Sequence, residues 1–440
     1  MITIEDLYKL YLSHPIVSTD TRKLPEGCLF FALRGANFDG NKYAGAALEA
    51  GAAYAIIDEA DQLIDERTIL VPDALEALQL LAAHHRRALG IPVIAITGTN
   101  GKTTTKELTA AVLSQSYHLL YTEGNLNNHI GVPLTLLRLT PEHQLALIEM
   151  GASKPGDIAE LCAIAQPNYG LITNIGQAHL EGFGSLEGVR RTKGELYDSV
   201  RAREGILFYH EEDEVLRQMS LGTERISYGS SPKAYVQGVA SPSTGESLFL
   251  HFSWSCPILE MSPREVQTQL VGDYNLANAL AAIAIGLYFD VPSDKIDEAL
   301  TSYCPSNSRS QLIHSERGNQ IIADAYNANP SSMHTALSNF LAIEPALRPR
   351  IVILGDMNEL GASSHEAHQE LYQKLSSTTT PPLEIYLCGP HWREELGNQP
   401  QVYPNVEELI AHIEAHPITK SLILVKGSNS IHLGKLLPYL

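Results

Sequence analysis

Val93-Ile94-Ala95-Ile96-Thr97-Gly98-Thr99-Asn100-Gly101-Lys102-Thr103-Thr104 is an apolar run that breaks into a glycine-bearing turn and ends on a lysine and two threonines. A buried strand followed by such a turn and a helix start aims several backbone N–H groups at one spot, where the helix dipole also favours an anion. A nucleotide phosphate fits there. Lys102 would reach the β- and γ-phosphates and the Thr103 hydroxyl would complete a magnesium shell, so Gly98, Thr99, Asn100, Gly101, Lys102, Thr103 and Thr104 form a candidate ATP site. The full phosphate-loop pattern has a glycine five residues before Gly101, where this chain has Ile96, so the loop is a shortened variant. Gly98 and Gly101 alone would also serve a plain strand-to-helix turn; the Lys-Thr-Thr directly after them favours the phosphate reading.

On either side of the loop, short apolar runs alternate with helical stretches. Leu145 to Ile148, Gly170 to Thr173 and Gly205 to Phe208 read as further strands, which implies a mainly parallel sheet with helices on both faces and a nucleotide at the carboxyl ends of its strands. A polar, strand-like stretch runs from Ile226 to Glu265, and a helix starts near Asn275. Before the loop, Cys28 to Leu33, an alanine-rich helix from Tyr43 and Tyr54 to Ile57 suggest a small α/β module, followed by a helix from Asp73 to Leu89 that ends at Gly90. After the loop Pro305 to Ser310, strand-helix alternation returns at Gln320 to Asp324, Arg350 to Gly355, Glu384 to Leu387 and Leu422 to Val425. The expectation is an α/β protein of three domains, residues 1–85, 86–305 and 306–440. No fixed-period repeat occurs, which argues against a solenoid.

At 440 residues the chain is too long for one small core. Its 44% hydrophobic and 18% charged residues describe an ordinary globular protein. A net charge of -19 argues against a nucleic-acid partner, since no basic excess neutralises a phosphate backbone. The 5 cysteines are scattered without a Cys-x-x-Cys pair, so neither a zinc cluster nor a disulfide framework is indicated, and the reading is a reducing, cytoplasmic compartment. The N-terminus lacks a basic region with an apolar core, and the longest apolar run, Ala279 to Phe289, is too short to span a bilayer. No membrane insertion is expected.

Several residues fall at strand ends. Glu149 closes the run Leu145 to Ile148; a carboxylate there costs free energy unless a cation meets it, and magnesium beside a phosphate loop would do so, whereas at a wet edge it needs no partner. His179 lies beyond the next strand, on the same sheet edge, where a lone histidine is also a common hydrogen-bonded structural residue. Lys193, in Arg190-Arg191-Thr192-Lys193-Gly194-Glu195, has the composition of a solvated helix face. Arg309 and Asp324 bracket a strand entrance, where a guanidinium would fork onto phosphate and a carboxylate accept a ribose hydroxyl; either could equally belong to a surface ion pair.

With the phosphate loop in hand, further blocks resemble the Mur ligases, ATP-dependent amide-forming enzymes of peptidoglycan precursor synthesis. They are Thr19-Asp20-Thr21-Arg22 with Asp39-Gly40, Asn125-Leu126-Asn127-Asn128-His129-Ile130-Gly131-Val132-Pro133, and Glu149-Met150-Gly151-Ala152-Ser153. Tyr326-Asn327-Ala328-Asn329-Pro330, Gly355-Asp356-Met357-Asn358-Glu359-Leu360-Gly361 and Val425-Lys426-Gly427-Ser428 resemble the branch that joins D-alanyl-D-alanine to UDP-N-acetylmuramoyl-tripeptide; the Asp-Asn-Pro-Arg signature of the branch that adds the third amino acid is absent. The resemblance covers nearly the whole length. It implies a UDP-binding N-terminal module, a central ATP-binding domain and a C-terminal Rossmann-like domain, acting on small-molecule substrates as a monomer.

Residue by residue, the resemblance implies that Thr21, Arg22, Asp39 and Gly40 grip the UDP part, and that Asn128, Tyr326 and Asn329 lie at the substrates, Asn329 at the domain junction. Lys102, Glu149, His179 and Lys193 form the catalytic set, and Thr103, Glu149, His179 and Lys193 the magnesium set. Lys193 matches the position of a carbamylated lysine, which reverses the composition reading. Asn275, in Gly272-Asp273-Tyr274-Asn275, matches an adenine contact, and Arg309 and Asp324 match residues that hold ATP. Two departures stand out: Ser308-Arg309-Ser310 replaces the commoner Gly-Arg-Leu or Gly-Arg-Met, and Thr-Asp-Thr-Arg replaces Asp-Ser-Arg. Two rival readings remain at this point, another amide ligase of the same fold such as a folylpolyglutamate synthetase-like enzyme, and a phosphate-loop ATPase that switches a partner.

Overall fold

The computed structural model describes residues 2–35, 37–177, 180–241, 248–305, 309–343, 348–378 and 383–440. Among these residues three larger sheets succeed one another along the chain, and Arg34–Gly35 pairs antiparallel with Phe38–Asp39 as a separate two-stranded sheet. The small one pairs Val17–Ser18, Leu29–Phe31, Tyr54–Ile57 and Thr68–Leu70, all parallel, in that order. The expected helix follows as Ala74–Leu89, with the Asp73 side chain accepting from the Glu76 N–H at its start and Gly90 in the left-handed conformation at its end. Residue 85 lies inside this helix, which packs both on the first helix, Ile4–Ser13, and on Gly131–Leu136 and Asp157–Ala165 of the central region.

The central sheet has nine strands, in the order Arg264–Val271, Phe249–Ser255, Val236–Ala240, Glu224–Gly229, Ile206–His210, Tyr169–Ile172, Val93–Thr97, Leu145–Glu149 and Leu119–Tyr121. From Val236–Ala240 to Leu119–Tyr121 neighbours run parallel; Phe249–Ser255 pairs antiparallel with both of its neighbours. The polar stretch after Ile226 thus closes the sheet with an antiparallel ribbon whose burial alternates, one face in and one out. The inner strands are buried on both faces. Val93 and Ala95 belong to one core with the helices Ala74–Leu89, Asp157–Ala165 and Leu186–Arg201; Ile94 and Ile96 belong to another, with Lys102–Leu113, Leu276–Tyr288 and Ser293–Ser302. Side chains alternate across a strand, so a continuous apolar run is what a strand between two helical layers requires. Full burial of each such isoleucine or leucine contributes roughly 1.5–3 kcal/mol.

The C-terminal sheet has six strands, in the order Gln311–His314, Gln320–Asp324, Leu422–Lys426, Arg350–Gly355, Leu383–Cys388 and Val402–Tyr403, parallel except at the first pair. Pro330–Ala342 and Ser364–Ser376 cover one face, Val406–Ala415 the other. Of the loop read as the second boundary, residues 306–308 lie outside the described residues. Among the described residues no helix is long and apolar enough to cross a membrane.

Candidate active site

The chain leaves the buried strand Val93–Thr97 through Gly98, with φ +143, and Gly101, with φ +78, and enters the helix Lys102–Leu113. A Cβ on Gly98 would stand 2.0 Å from the Thr173 hydroxyl oxygen, and one on Gly101 2.6 Å from the Asn278 amide oxygen. Both positions therefore require glycine, by conformation and by space. Lys102 folds over the loop and donates through Nζ to the carbonyls of Gly98 at 2.8 Å and Thr99 at 2.9 Å. Burial pushes its pKa down, against the opposing pull of Glu149. A phosphate in the loop would be met by a cation whose present partners are neutral carbonyls.

One strand over, Glu149 ends Leu145–Glu149 and is 1% exposed. Its Oε1 accepts from the Thr103 hydroxyl at 3.1 Å and from the Asn127 amide at 2.8 Å, while the buried Oε2 has no hydrogen-bond partner. A buried carboxylate oxygen without a donor is costly, by about 1–3 kcal/mol or more. A hard divalent cation satisfies it, and a threonine hydroxyl next to a carboxylate at a phosphate loop is the oxygen donor set that magnesium takes. The residues present fit that ion. His179, assigned to the same metal set, lies outside the described residues. Among the described residues no group of three or more His, Cys, Asp or Glu side chains is placed to hold a metal ion.

Lys193 is buried on the inner face of Leu186–Arg201, 3% exposed, with Nζ 5.6 Å over the Phe183 ring. Burial, reinforced by the charge of Lys102 and opposed by Asp157 and Glu195, pulls its pKa down to about 7. A solvated helix face this is not. At neutral pH a large share of the amine is unprotonated, which is the form that reacts with carbon dioxide.

The tip of the loop is tied into the third sheet's helices. Asn100 accepts on its amide oxygen from Asn329 at 2.8 Å and donates to the Ser331 hydroxyl at 2.9 Å; Ser331 in turn donates to the Asn329 amide oxygen at 2.9 Å. Asn329 caps the helix Pro330–Ala342, with Ser332 returning the bond to complete a capping box. The backbone of Asn100 is also held, its N–H by Asn174 at 3.0 Å and its carbonyl by Thr173 at 2.6 Å and Asn174 at 2.9 Å.

On the other side of the loop, Asn275 is 1% exposed and precedes Leu276–Tyr288. It donates to the Val271 carbonyl and accepts from Asn278, and Asn278 accepts from Thr105 of the phosphate-loop helix at 3.0 Å. The Arg309 guanidinium stacks 3.7 Å over the Tyr326 ring, and Asp324 pairs with Lys426 at 2.7 Å. Asp324 thus does form an ion pair, with Lys426 at the cleft wall, while Arg309 lies on an aromatic ring.

These elements enclose a cleft of about 1010 Å³ lined by Thr99 to Thr104, Asn128, Glu149, Asn275, Arg309, Asp324 and Tyr326. Asn128 faces it while its side chain accepts from the N–H groups of Ile130 and Gly131. Gly98, Lys193 and Asn329 are not part of the lining, and neither are Thr21, Arg22, Asp39 and Gly40 of the N-terminal module. There, Asp20 caps the short turn Thr21–Lys23 and takes the Arg22 guanidinium on both oxygens, and Asp39 accepts from the backbone and amide of Asn41. Four cleft residues, Asn127, Asn278, Ser331 and Lys426, escape the reading of single residues. Asn278 had a signal, since it falls one helical turn beyond Asn275; Asn127 and Lys426 stood inside recognised blocks without a partner to give them a role.

Known proteins share this arrangement. Residues 15–86 match the model of the Mur ligase family catalytic domain, 96–286 the Mur ligase middle domain and 308–429 the Mur ligase glutamate ligase domain. The UDP-N-acetylmuramoyl-tripeptide–D-alanyl-D-alanine ligase of Bacillus subtilis (strain 168) is 33% identical over 96% of this chain and 92% of its own length. Its namesake in Escherichia coli (strain K12) is 39% identical over 81% of this chain and 77% of its own. The crystal structure of the MurF ligase from Thermotoga maritima in complex with ADP superposes with a TM-score of 0.84, at 25% identity, over 97% of each chain. With the likeness running through all three sheets in sequence and in backbone, this chain belongs to the Mur ligase family.

Proposed function

We propose that this chain is an ATP-dependent ligase that joins D-alanyl-D-alanine to UDP-N-acetylmuramoyl-tripeptide, working as a cytoplasmic monomer with magnesium. The observation that carries the proposal is the pairing of Thr103 with Glu149 at the mouth of the phosphate loop, in a cleft whose opposite wall holds Arg309 and Asp324. A phosphate loop alone serves many reactions. A loop whose far wall comes from a separate sheet suits a reaction that must join two substrates and keep water out. The free cysteines fit a reducing compartment.

A carboxylate is a poor acyl donor, and a protonated amine is no nucleophile. The terminal carboxylate of the UDP-linked tripeptide attacks the γ-phosphorus of ATP, ADP leaves, and an acyl phosphate results. Lys102 exchanges its loop carbonyls for the phosphate oxygens, and Arg309, stacked flat on Tyr326, offers its planar fork to the same charge. Thr103 and Glu149 would hold magnesium, which when bound would supply Lewis acidity at the transferring phosphoryl group. Lys193, once its neutral amine has added carbon dioxide and released a proton, would present carbamate oxygens as metal ligands. The neutral amine of D-alanyl-D-alanine then attacks the acyl carbon, and phosphate leaves together with the proton that the nitrogen gives up, forming the new amide. Asn275 and Asp324 hold the nucleoside, and Thr21, Arg22, Asp39 and Gly40 hold the UDP end, so that position rather than chemical novelty lowers the barrier.

The deciding experiment measures phosphate release from ATP and magnesium with both acceptor and donor, then with each omitted. The expected result is release only with both, matched by a UDP-pentapeptide product. Release independent of either substrate would sink the proposal and favour an ATPase switch. Light scattering at working concentration checks the monomer.

A further inference from the structure

Lys426 closes the strand Leu422–Lys426, an inner strand of the C-terminal sheet, and is 2% exposed. Its register partner on the neighbouring parallel strand is Asp324. The ammonium group donates to Asp324 Oδ2 at 2.7 Å and to the Asn327 carbonyl at 3.0 Å. Both residues line the large cleft. A buried ammonium is expensive, and replacing a buried ion pair by apolar groups of the same volume is often neutral or stabilising, so stability alone does not account for a lysine here. The pair does two things that an apolar pair would not. It sets an ammonium counter-ion against the Asp324 carboxylate at the cleft wall, with Oδ2 committed to Lys426. It also fixes both ends of the segment from Asp324 to Asn327, which carries Tyr326, the platform for Arg309.

We propose that Lys426 is a positioning residue for the nucleotide: by clamping Asp324 and the Asn327 carbonyl it holds one carboxylate oxygen ready for the ribose hydroxyls of the bound nucleoside phosphate. The proposal rests on the ATP reading of the cleft and adds to it the residue that makes Asp324 selective for the sugar. A hydroxyl donating to a fixed, ionised carboxylate is a charge-assisted hydrogen bond, and its strength depends on the acceptor being held in place. Without the clamp, Asp324 loses its counter-ion and its orientation, while the phosphate loop remains intact.

The test compares the affinities of the full chain for magnesium-ADP and for magnesium-2′,3′-dideoxyADP by calorimetry. The wild type, Lys426→Met, Lys426→Arg and Asp324→Asn are measured, together with KM for each substrate of the ligation. The wild type is expected to prefer ADP by at least about tenfold, in line with hydrogen bonds to charged groups. Lys426→Met and Asp324→Asn should both abolish most of that preference, and Lys426→Arg should restore part of it. The affinity for dideoxyADP should stay within about threefold throughout, because the phosphate loop is unchanged. A Lys426→Met enzyme that keeps the wild-type preference, or whose D-alanyl-D-alanine KM alone rises, would overturn the proposal. If Lys426→Met does not fold, Lys426→Gln, which retains a donor without the charge, carries the same comparison. An Asp324→Asn enzyme with an intact preference refutes the ribose reading of Asp324 itself, and wild-type chain that binds neither nucleotide refutes the ATP reading.

Discussion

The seam between the central and C-terminal sheets and the Asp20–Arg22 motif of the N-terminal module are both built from polar side chains, yet they are held in opposite ways. At the seam, partners come from far along the chain: Asn100 bonds to Asn329 and Ser331, 229 and 231 positions away. In the N-terminal motif, Arg22 takes its carboxylate from Asp20, two residues back, with its own side chain 87% exposed. Long-range partners cost more chain entropy to bring together and in return fix one sheet against another. A neighbouring exposed pair fixes only itself and is worth little. The seam is therefore set by the fold, whereas the Arg22 pair can be exchanged for a ligand at small cost.

The largest break in this contrast should come from the seam's cation. Lys102→Ala removes the charge at the phosphoryl group and is expected to lower kcat by about a thousandfold or more, while the affinity for the UDP-linked tripeptide stays within about twofold. Loss of both together would mean that the fold, not the chemistry, had failed. Glu149→Gln keeps the shape and removes the negative charge beside Thr103. Activity should fall by about a hundredfold and the magnesium dependence should move to higher concentration; an unshifted magnesium titration would exclude Glu149 from the ion's shell.

The interlock itself is the next target. Asn100→Ala and Ser331→Ala are each expected to lower kcat by about tenfold, and the double variant to be hardly worse than either, since both substitutions open the same ring of bonds. Strict additivity would show that Asn100 and Ser331 act separately and that the seam is not one unit.

How much of this could be read from the chain divides along the same line. Strands buried on both faces, such as Val93–Thr97, announce themselves as continuous apolar runs, and the Lys-Thr-Thr after Gly101 marks the loop, because these features depend on residues close together in sequence. The helix Ala74–Leu89 carried its own cap and stop signals in Asp73 and Gly90. Lys193 was misread from composition because two arginines before it hide which face of Leu186–Arg201 turns inward. The Asp324–Lys426 pair depends on a register between strands 102 residues apart, and no local pattern encodes that. The block resemblance to the Mur ligases implies roles for residues whose spacing alone suggests none.

Lys193 also sharpens the contrast through pH. Its folded pKa, about 7, lies well below the ordinary lysine value of 10.5. Between those limits the unfolded chain holds the proton that the folded chain has released, so unfolding binds protons and stability rises with pH. Below about pH 7 both states are protonated, and the folded state bears the full cost of the buried charge. In buffers free of carbon dioxide, Lys193→Met should therefore be more stable than wild type at pH 6.5, and the two should converge towards pH 9.5. Urea midpoints at the two pH values measure this, and parallel pH courses would place Lys193 in contact with solvent.

The smallest effect on stability belongs to the exposed side of the comparison. Arg22→Ala removes a guanidinium whose partner sits two residues away in water, so the unfolding free energy should move by no more than about 0.5 kcal/mol. Asp20, held down to about 2 by the hydrogen bonds of Arg22, would return towards the ordinary carboxylate range, a change confined to acid pH. The same substitution should raise KM for the UDP-linked tripeptide by about tenfold and leave kcat within about twofold, because the lost contact is made equally in ground and transition states. A fall in kcat with KM unchanged would place Arg22 in the coupling between domains rather than in the grip, and the division between seam and surface would have to be redrawn.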